Sequence, residues 1–364
     1  MIGVGEAFAP RYALARRKFL EGCAGAGLAV RSHVHPLAGR DGEELALDVA
    51  LDGAPDAEAL LIVSSGCHGV EGHCGSGVQV FALHDAEWRE KARDRGVAVL
   101  YLHALNPHGF SLGRRVTHEN VDLNRNFVDF SKPLPVNEAY ASLHALLLPE
   151  AWPPTPDNQA AIDTLIAREG LAFYQAAVSR GQYQFADGLF FGGAAPTWSN
   201  RTVREVLRTH AAAARRVGWI DMHTGLGPNG IGERIFACRD DPAAYARANA
   251  WWGTPALPVT SMYDGSSTSA FLTGLMAFSL EEECPRAEFT AIALEYGTEP
   301  MLEVMTALRG DHWLHRHPGA PAELAESIRA RMFAAFYSDT DAWRGQVISQ
   351  ARQAMFQAAD GLAG

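Results

Sequence analysis

The apolar positions of this 364-residue chain fall into two rhythms. Residues 8–21 repeat with helical spacing and carry arginines on one face, whereas 28–35 and 44–51 read as two strands at a sheet edge. Residues 60–63, Leu-Leu-Ile-Val, form an unbroken apolar run that ends in Ser and Gly, which suits a strand buried on both faces of an α/β sheet. A helix is expected over 78–93 and another buried strand over 97–105, so strand, helix and strand make a right-handed parallel crossover. Residues 106–127 are polar and aperiodic and read as a loop, of the kind that carries function on a rigid sheet. Prolines interrupt 133–156, a helix is expected over 157–180, and 188–200 has the Gly, Pro and Ser content of a loop. Further on, 202–215 and 242–252 read as helices, 217–222, 234–238 and 289–294 as strands, and 322–359 as mostly amphipathic helix. No low-complexity linker divides the chain, so the expectation is one α/β domain over 1–364, with an insertion at 133–200 and a helical tail at 322–359.

Composition narrows the class of partner. At 48% hydrophobic residues the chain buries a large core, and its net charge of −11 argues against nucleic acid, which demands concentrated positive charge. Five cysteines in no compact spacing point to reduced thiols. With no signal-like apolar segment at the start and no membrane-length run, a cytoplasmic protein is expected.

Three of the apolar runs end in ionisable groups: the first at His68 and Glu71, the second at His223, the third at Glu295. If these strands are parallel, their C-terminal ends meet on one sheet edge, where α/β sheets place their ligands. Two histidines and a carboxylate are a usual catalytic zinc set, with one coordination position left for water. Each element alone has a plainer explanation. His-x-x-Glu recurs by chance, and His223 taken alone fits a hydrogen-bonded core histidine better than a ligand. Glu295 after Ile-Ala-Leu is costly to bury unless paired or functional, with a structural ion pair as the alternative. Asp221, two residues before His223, falls on the same strand face and either orients the imidazole or pairs with an arginine. Cys67 adjoins His68 but points to the opposite face and reads as a buried thiol. The loop adds Arg114-Arg115 and Asn124-Arg125, groups suited to gripping a carboxylate and polarising a carbonyl, or simply an exposed basic stretch.

Together, His68-x-x-Glu71, Asn106-Pro107-x-Gly109, Asp122-Leu123-Asn124-Arg125-Asn126-Phe127, Asp221-x-His223 and Glu295 resemble the zinc metallocarboxypeptidase family, the carboxypeptidase A superfamily, over about residues 60–298. The resemblance implies a mixed, mainly parallel sheet of about eight strands flanked by helices. It implies Zn2+ held by His68, Glu71 and His223. It further implies Asn124 and Arg125 on the substrate's terminal carboxylate, Arg115 rather than Arg114 on the scissile carbonyl, and Glu295 as general base and then acid. Tyr263 is the candidate for the family's substrate-capping tyrosine. His73, His103, His108 and His118 match no family role and are expected in surface or loop-structural parts. The 133–200 segment is longer than the corresponding part of a simple digestive carboxypeptidase, and Thr224-Gly225-Leu226-Gly227 after His223 and Tyr296-Gly297-Thr298 after Glu295 resemble a little-characterised bacterial branch of the superfamily. The expected activity is hydrolysis of an amide next to a free carboxylate, on a peptide or an acyl-amino acid. The rivals are an N-acyl-amino-acid deacylase of the aspartoacylase and succinylglutamate desuccinylase type, and a non-catalytic carboxylate-binding protein on the same scaffold.

Overall fold

Continuous aliphatic runs become the strands that water never reaches. The computed structural model describes residues 2–364 and contains eight strands among them: β1 (Val30–Ala38), β2 (Glu44–Asp52), β3 (Ala59–Ser64), β4 (Val97–His103), β5 (Arg216–Asn229), β6 (Gly232–Phe236), β7 (Thr260–Ser261) and β8 (Glu288–Gly297). They form one mixed sheet in the order β1-β2-β4-β3-β5-β8-β6-β7. The four central strands β4, β3, β5 and β8 are mutually parallel, while β1, β2 and β6 join antiparallel to their inner neighbours. Every residue of β3 and β4 is buried, as expected of strands covered on both faces. The edge strand β1 is largely exposed and carries a register shift between Val34 and Ala38, a device that discourages pairing with another chain.

The parallel register sets the site. Val63 pairs with Ile220, and His223 lies directly across from Glu295. The chain leaving β3, β5 and β8 therefore delivers His68, Glu71, His223 and Glu295 to one edge of three adjacent strands.

Helices differ from the sequence expectation where a single residue breaks them. Residues 78–93 form two helices, Gly72–His84 and Ala86–Asp94, because the Asp85 side chain accepts from Trp88 N (3.2 Å) and starts the second. Gly170, at φ 90°, divides 157–180 into Pro156–Glu169 and Leu171–Ser179. The tail is two helices, Ala322–Phe336 and Asp341–Ala363, the latter capped by Thr340. Glu138–Leu147 and Met301–Arg316 are helices that periodicity did not predict.

Two large apolar clusters result, with two smaller ones beside them. The larger fills the space around the sheet, with Asp341–Ala363 packed across it through Val347, Ala351, Ala354, Ala358 and Leu362. The second joins the 133–200 segment, through Tyr140, Leu147, Ile162, Tyr174 and Val178, to Val304, Leu308, Met332 and Phe336 of the two helices that follow β8. No helix among the described residues is long and apolar enough to cross a membrane.

Candidate active site

The glycines of the two signature loops explain how the ligand loop is held. A Cβ on Gly69 would lie 2.0 Å from the carbonyl carbon of Gly109, so only glycine admits this approach. The contact is laced by backbone bonds from Gly69 N to Arg115 O (3.1 Å) and from Val70 N to Arg114 O (2.9 Å). Asn106 caps the short helix Pro107–Leu112 by accepting from Gly109 N (2.9 Å), and its own N–H donates to Gly66 O (2.8 Å). Asn-Pro-x-Gly is thus the clamp that fixes the His-x-x-Glu loop against the arginine loop.

Within it, His68, Glu71 and His223 are all buried, and one donor atom from each lies within 4.8 Å of the others. The Nδ1 atoms of His223 and His68 are 3.2 Å apart, with Glu71 Oε1 2.8 Å from His68 Nδ1 and Glu71 Oε2 3.1 Å from His223 Nδ1. His223 Nε2 sits 2.5 Å from Asp221 Oδ2, an acceptor, so that nitrogen carries a hydrogen and Nδ1 is the atom that would turn a lone pair into the cluster once a cation takes the place of its proton. Asp221 is itself held by Ser64 Oγ (2.5 Å), which accepts from Trp219 Nε1 (2.7 Å). Lone pairs and a carboxylate therefore converge with few hydrogens between them, the arrangement a divalent cation satisfies. The nitrogen and oxygen donors suit zinc.

The electrostatics agree. Burial alone would raise the Glu71 carboxyl, but His68, His223 and Arg115 outweigh it and hold the group well below the usual carboxylate range. Burial disfavours charge on His223, yet Asp221 and Glu71 reverse this and raise its pKa well above normal. Glu295 behaves oppositely. Burial, then the charge of Glu71, pushes it up to about 8, and among the described residues its Oε1 accepts only from Leu226 N (3.1 Å). One carboxylate is fixed in the cluster; the other stands beside it with a high proton affinity.

Arg115 donates to Asp122 Oδ2 (2.9 Å) and Glu71 Oε1 (3.0 Å), and its Nη2 lies 2.7 Å from His68 Nε2. Arg114 turns away, into a buried ion pair with Asp311 (2.9 Å). Arg125 is buried with Nε and Nη2 on the carbonyl of Ser179 (3.0 and 2.7 Å) and Nη1 on Asn124 O (2.8 Å). Asn124 Oδ1 accepts from Met276 N (2.8 Å), which turns its amide nitrogen the other way. His68, His223, Glu295, Arg115, Asn124 and Arg125 all line one cavity of about 990 Å³, its mouth included. The rest of the wall is mostly apolar, with Leu226, Phe236, Met276, Val304 and Phe336 among its residues.

Tyr263 is not brought there. Its hydroxyl donates to Cys238 O (3.0 Å) and the ring lines a separate groove, while the preceding Met262 faces the cavity. Cys67 is a fully buried thiol pushed well up by burial and by Asp221. His73 and His103 lie in the core rather than in surface loops, tied to Ala9 O and Ser76 Oγ (both 2.9 Å). His108 and His118 pack edge to face with each other and around His35.

Two residues that sequence reasoning assigned no role also belong to the site. Asp122 Oδ1 is 3.2 Å from His68 Nε2, the counterpart of Asp221 on the other histidine, and its place at the head of the Asp-Leu-Asn-Arg run was the available signal. Phe190 lines the cavity from the 188–200 loop, and nothing in its local sequence marks it.

The model of a family described as "Protein of unknown function (DUF2817)" matches residues 8–350. No protein with a curated description matches the sequence. Among solved structures, bovine thrombin-activatable fibrinolysis inhibitor, in complex with tick carboxypeptidase inhibitor, aligns over 99% of both chains at 11% identity and a TM-score of 0.53, which establishes a shared fold. A metallo-carboxypeptidase from Burkholderia cenocepacia aligns over 88% of this chain and 67% of its own at 11% identity and TM-score 0.40. Murein-tripeptide amidase MpaA from Escherichia coli O157 aligns over 83% and 92% at 14% identity and TM-score 0.35.

Proposed function

The chain belongs to the family described as "Protein of unknown function (DUF2817)", and from that premise we propose that it is a zinc-dependent hydrolase that cleaves an amide bond next to a free carboxylate, as a metallocarboxypeptidase does. One observation carries the reading. The donor atoms of His68, Glu71 and His223 converge with the far nitrogen of each imidazole beside an aspartate, while Glu295, one strand over, stays outside that set.

His68, Glu71 and His223 would hold the metal. Zinc in such a site lowers the pKa of a water molecule and polarises a carbonyl. Glu295 takes the proton of the attacking water, and the same carboxyl returns it to the leaving nitrogen as the C–N bond breaks. A pKa lifted by burial and Glu71 suits a group that must both accept and give a proton. The Arg115 guanidinium, on the rim of the ligand set, meets the charge that develops on the carbonyl oxygen. Arg125 spends three N–H groups on backbone carbonyls and keeps two for a carboxylate, with the Asn124 amide beside it.

The test pairs metal analysis with a release assay over C-terminal peptides and N-acyl amino acids. Glu295→Gln should retain one zinc per chain and lose hydrolysis; full activity in that variant removes Glu295 from the chemistry. Absence of any bound divalent ion in protein purified without chelators overturns the proposal as a whole. Release from acyl-amino acids but not from peptides would move the assignment to a deacylase.

A further inference from the structure

Arg115 and Arg125 carry like charges in a buried site, and each needs a fixed direction to do its work. Asp122 compensates them on one side, 2.9 Å from Arg115 Nε and 4.0 Å from Arg125 Nη1. On another side lies a single aromatic ring. The Phe190 centroid is 5.1 Å from Arg115 Cζ and 5.7 Å from Arg125 Cζ, both within reach of a cation–π attraction. The residue is buried and lines the same cavity as both guanidinium groups.

The backbone there is unusual. Phe190 has φ 52°, in the left-handed region that a bulky side chain rarely adopts, and such strain persists only where the surroundings over-determine it. They do so here. Phe190 O accepts from Gln182 N (3.1 Å), Phe191 O from Asp122 N (2.8 Å), and Gly192 O from Asn126 Nδ2 (2.8 Å). The last two bonds tie the strained turn to the very loop that carries Asn124 and Arg125.

We infer that Phe190 is a positioning residue, whose ring face holds the guanidinium groups of Arg115 and Arg125 at the separation at which one substrate presents its carbonyl oxygen to the first and its free carboxylate to the second. The inference rests on the proposed hydrolase reading. Phe190 touches neither metal nor reacting atoms and acts through the two arginines.

The experiment compares zinc-loaded wild-type protein, Phe190→Leu, and protein carrying pentafluorophenylalanine at position 190. The fluorinated ring keeps the shape of phenylalanine and reverses the charge of its face, so it separates cation–π attraction from packing. Blocked dipeptides and N-acetyl amino acids are each offered as the free acid and as the carboxamide, and the readout is the ratio of kcat/KM for acid over amide. In both altered proteins this ratio should fall about tenfold or more, with KM for the acid taking most of the change. A ratio within twofold of wild type in the fluorinated protein overturns the inference even if Phe190→Leu is impaired, because packing alone then explains the residue. Wild-type protein that hydrolyses acids with no preference over amides overturns it too, while leaving a hydrolase. Wild-type protein that hydrolyses none of the substrates removes the proposed function and this inference together.

Discussion

Asp221→Asn isolates the contribution of the hydrogen bond behind His223. Asp221 Oδ2 lies 2.5 Å from His223 Nε2, and the other oxygen is held by Ser64. Asparagine keeps the shape and one acceptor but removes the negative charge that turns the His223 lone pair inward. A hydrogen bond to a charged partner contributes about 1.5–3 kcal/mol and a neutral one about 0.5–1.5, so the exchange should cost roughly 1–2 kcal/mol of metal binding. At about 1.4 kcal/mol per tenfold, zinc affinity should fall on the order of 5- to 30-fold, in the range typical of partners behind a metal-bound histidine. The assay is competition for zinc against a chromophoric chelator, at a pH where the metal-free fold is intact by circular dichroism. Serine 64 supplies the internal control: Ser64→Ala frees Asp221 but leaves its charge, and should cost less than Asp221→Asn. An unchanged zinc affinity in Asp221→Asn would refute the claim that this chain of contacts orients the ligand.

Other perturbations address the rest of the site and the scaffold. Arg114→Met leaves Asp311 buried without its partner and should cost about 3–5 kcal/mol in urea unfolding with kcat within a fewfold of wild type, whereas Arg115→Met, which also strips buried Asp122 of its partner, should lower kcat roughly 100- to 1,000-fold in the zinc-loaded protein that remains folded; a wild-type kcat in Arg115→Met with the large loss in Arg114→Met would exchange the roles of the two arginines. Gly69→Ala drives a methyl group into the Gly109 backbone and should destabilise the protein by about 3 kcal/mol, with zinc affinity lost alongside, and a wild-type melting temperature would dismiss the clamp. His103 and His312 are pushed down to about 4 by burial, from 6.5 in an open chain. Between those values the unfolded chain binds more protons, so stability is full above pH 6.5 and falls as the solution is acidified, by about 2 kcal/mol for each histidine at pH 5. Denaturant midpoints that stay level from pH 7 to pH 5 would contradict this.

The strands of the site were legible because burial on both faces leaves a signature that periodicity cannot blur. Residues 60–63 and 291–294 are uninterrupted apolar runs, and the ionisable residues after them stand out by contrast. The helix Met301–Arg316 was missed for the opposite reason. Its inward side holds Arg309, Asp311 and His312, buried but polar, each with a partner that comes from elsewhere in the fold or from the helix's own preceding turn. Long-range pairing of this kind erases the apolar stripe on which a helix is recognised. Phe190 was hidden because its significance lies in a backbone angle and in two arginines far away in sequence. Tyr263 was drawn in by its residue type alone, and the chain turns it onto Cys238 instead.

The carbonyl of Ser179 that holds Arg125 has a consequence for how such a protein diversifies. The candidate metal ligands hang from two neighbouring strands and Glu295 from a third, so any change to them disturbs the buried centre of the sheet. Arg125, the proposed grip on a substrate carboxylate, hangs from the end of the helix Leu171–Ser179 and faces the turn at Phe190, both in the 133–200 segment. That segment shares an apolar cluster with the two helices that follow β8 and is tied to the 106–127 loop by bonds such as Asp122 N to Phe191 O (2.8 Å) and Asn126 Nδ2 to Gly192 O (2.8 Å). On the proposed reading, changes in that segment would alter which molecules are held while leaving the strands that carry His223 and Glu295 in place.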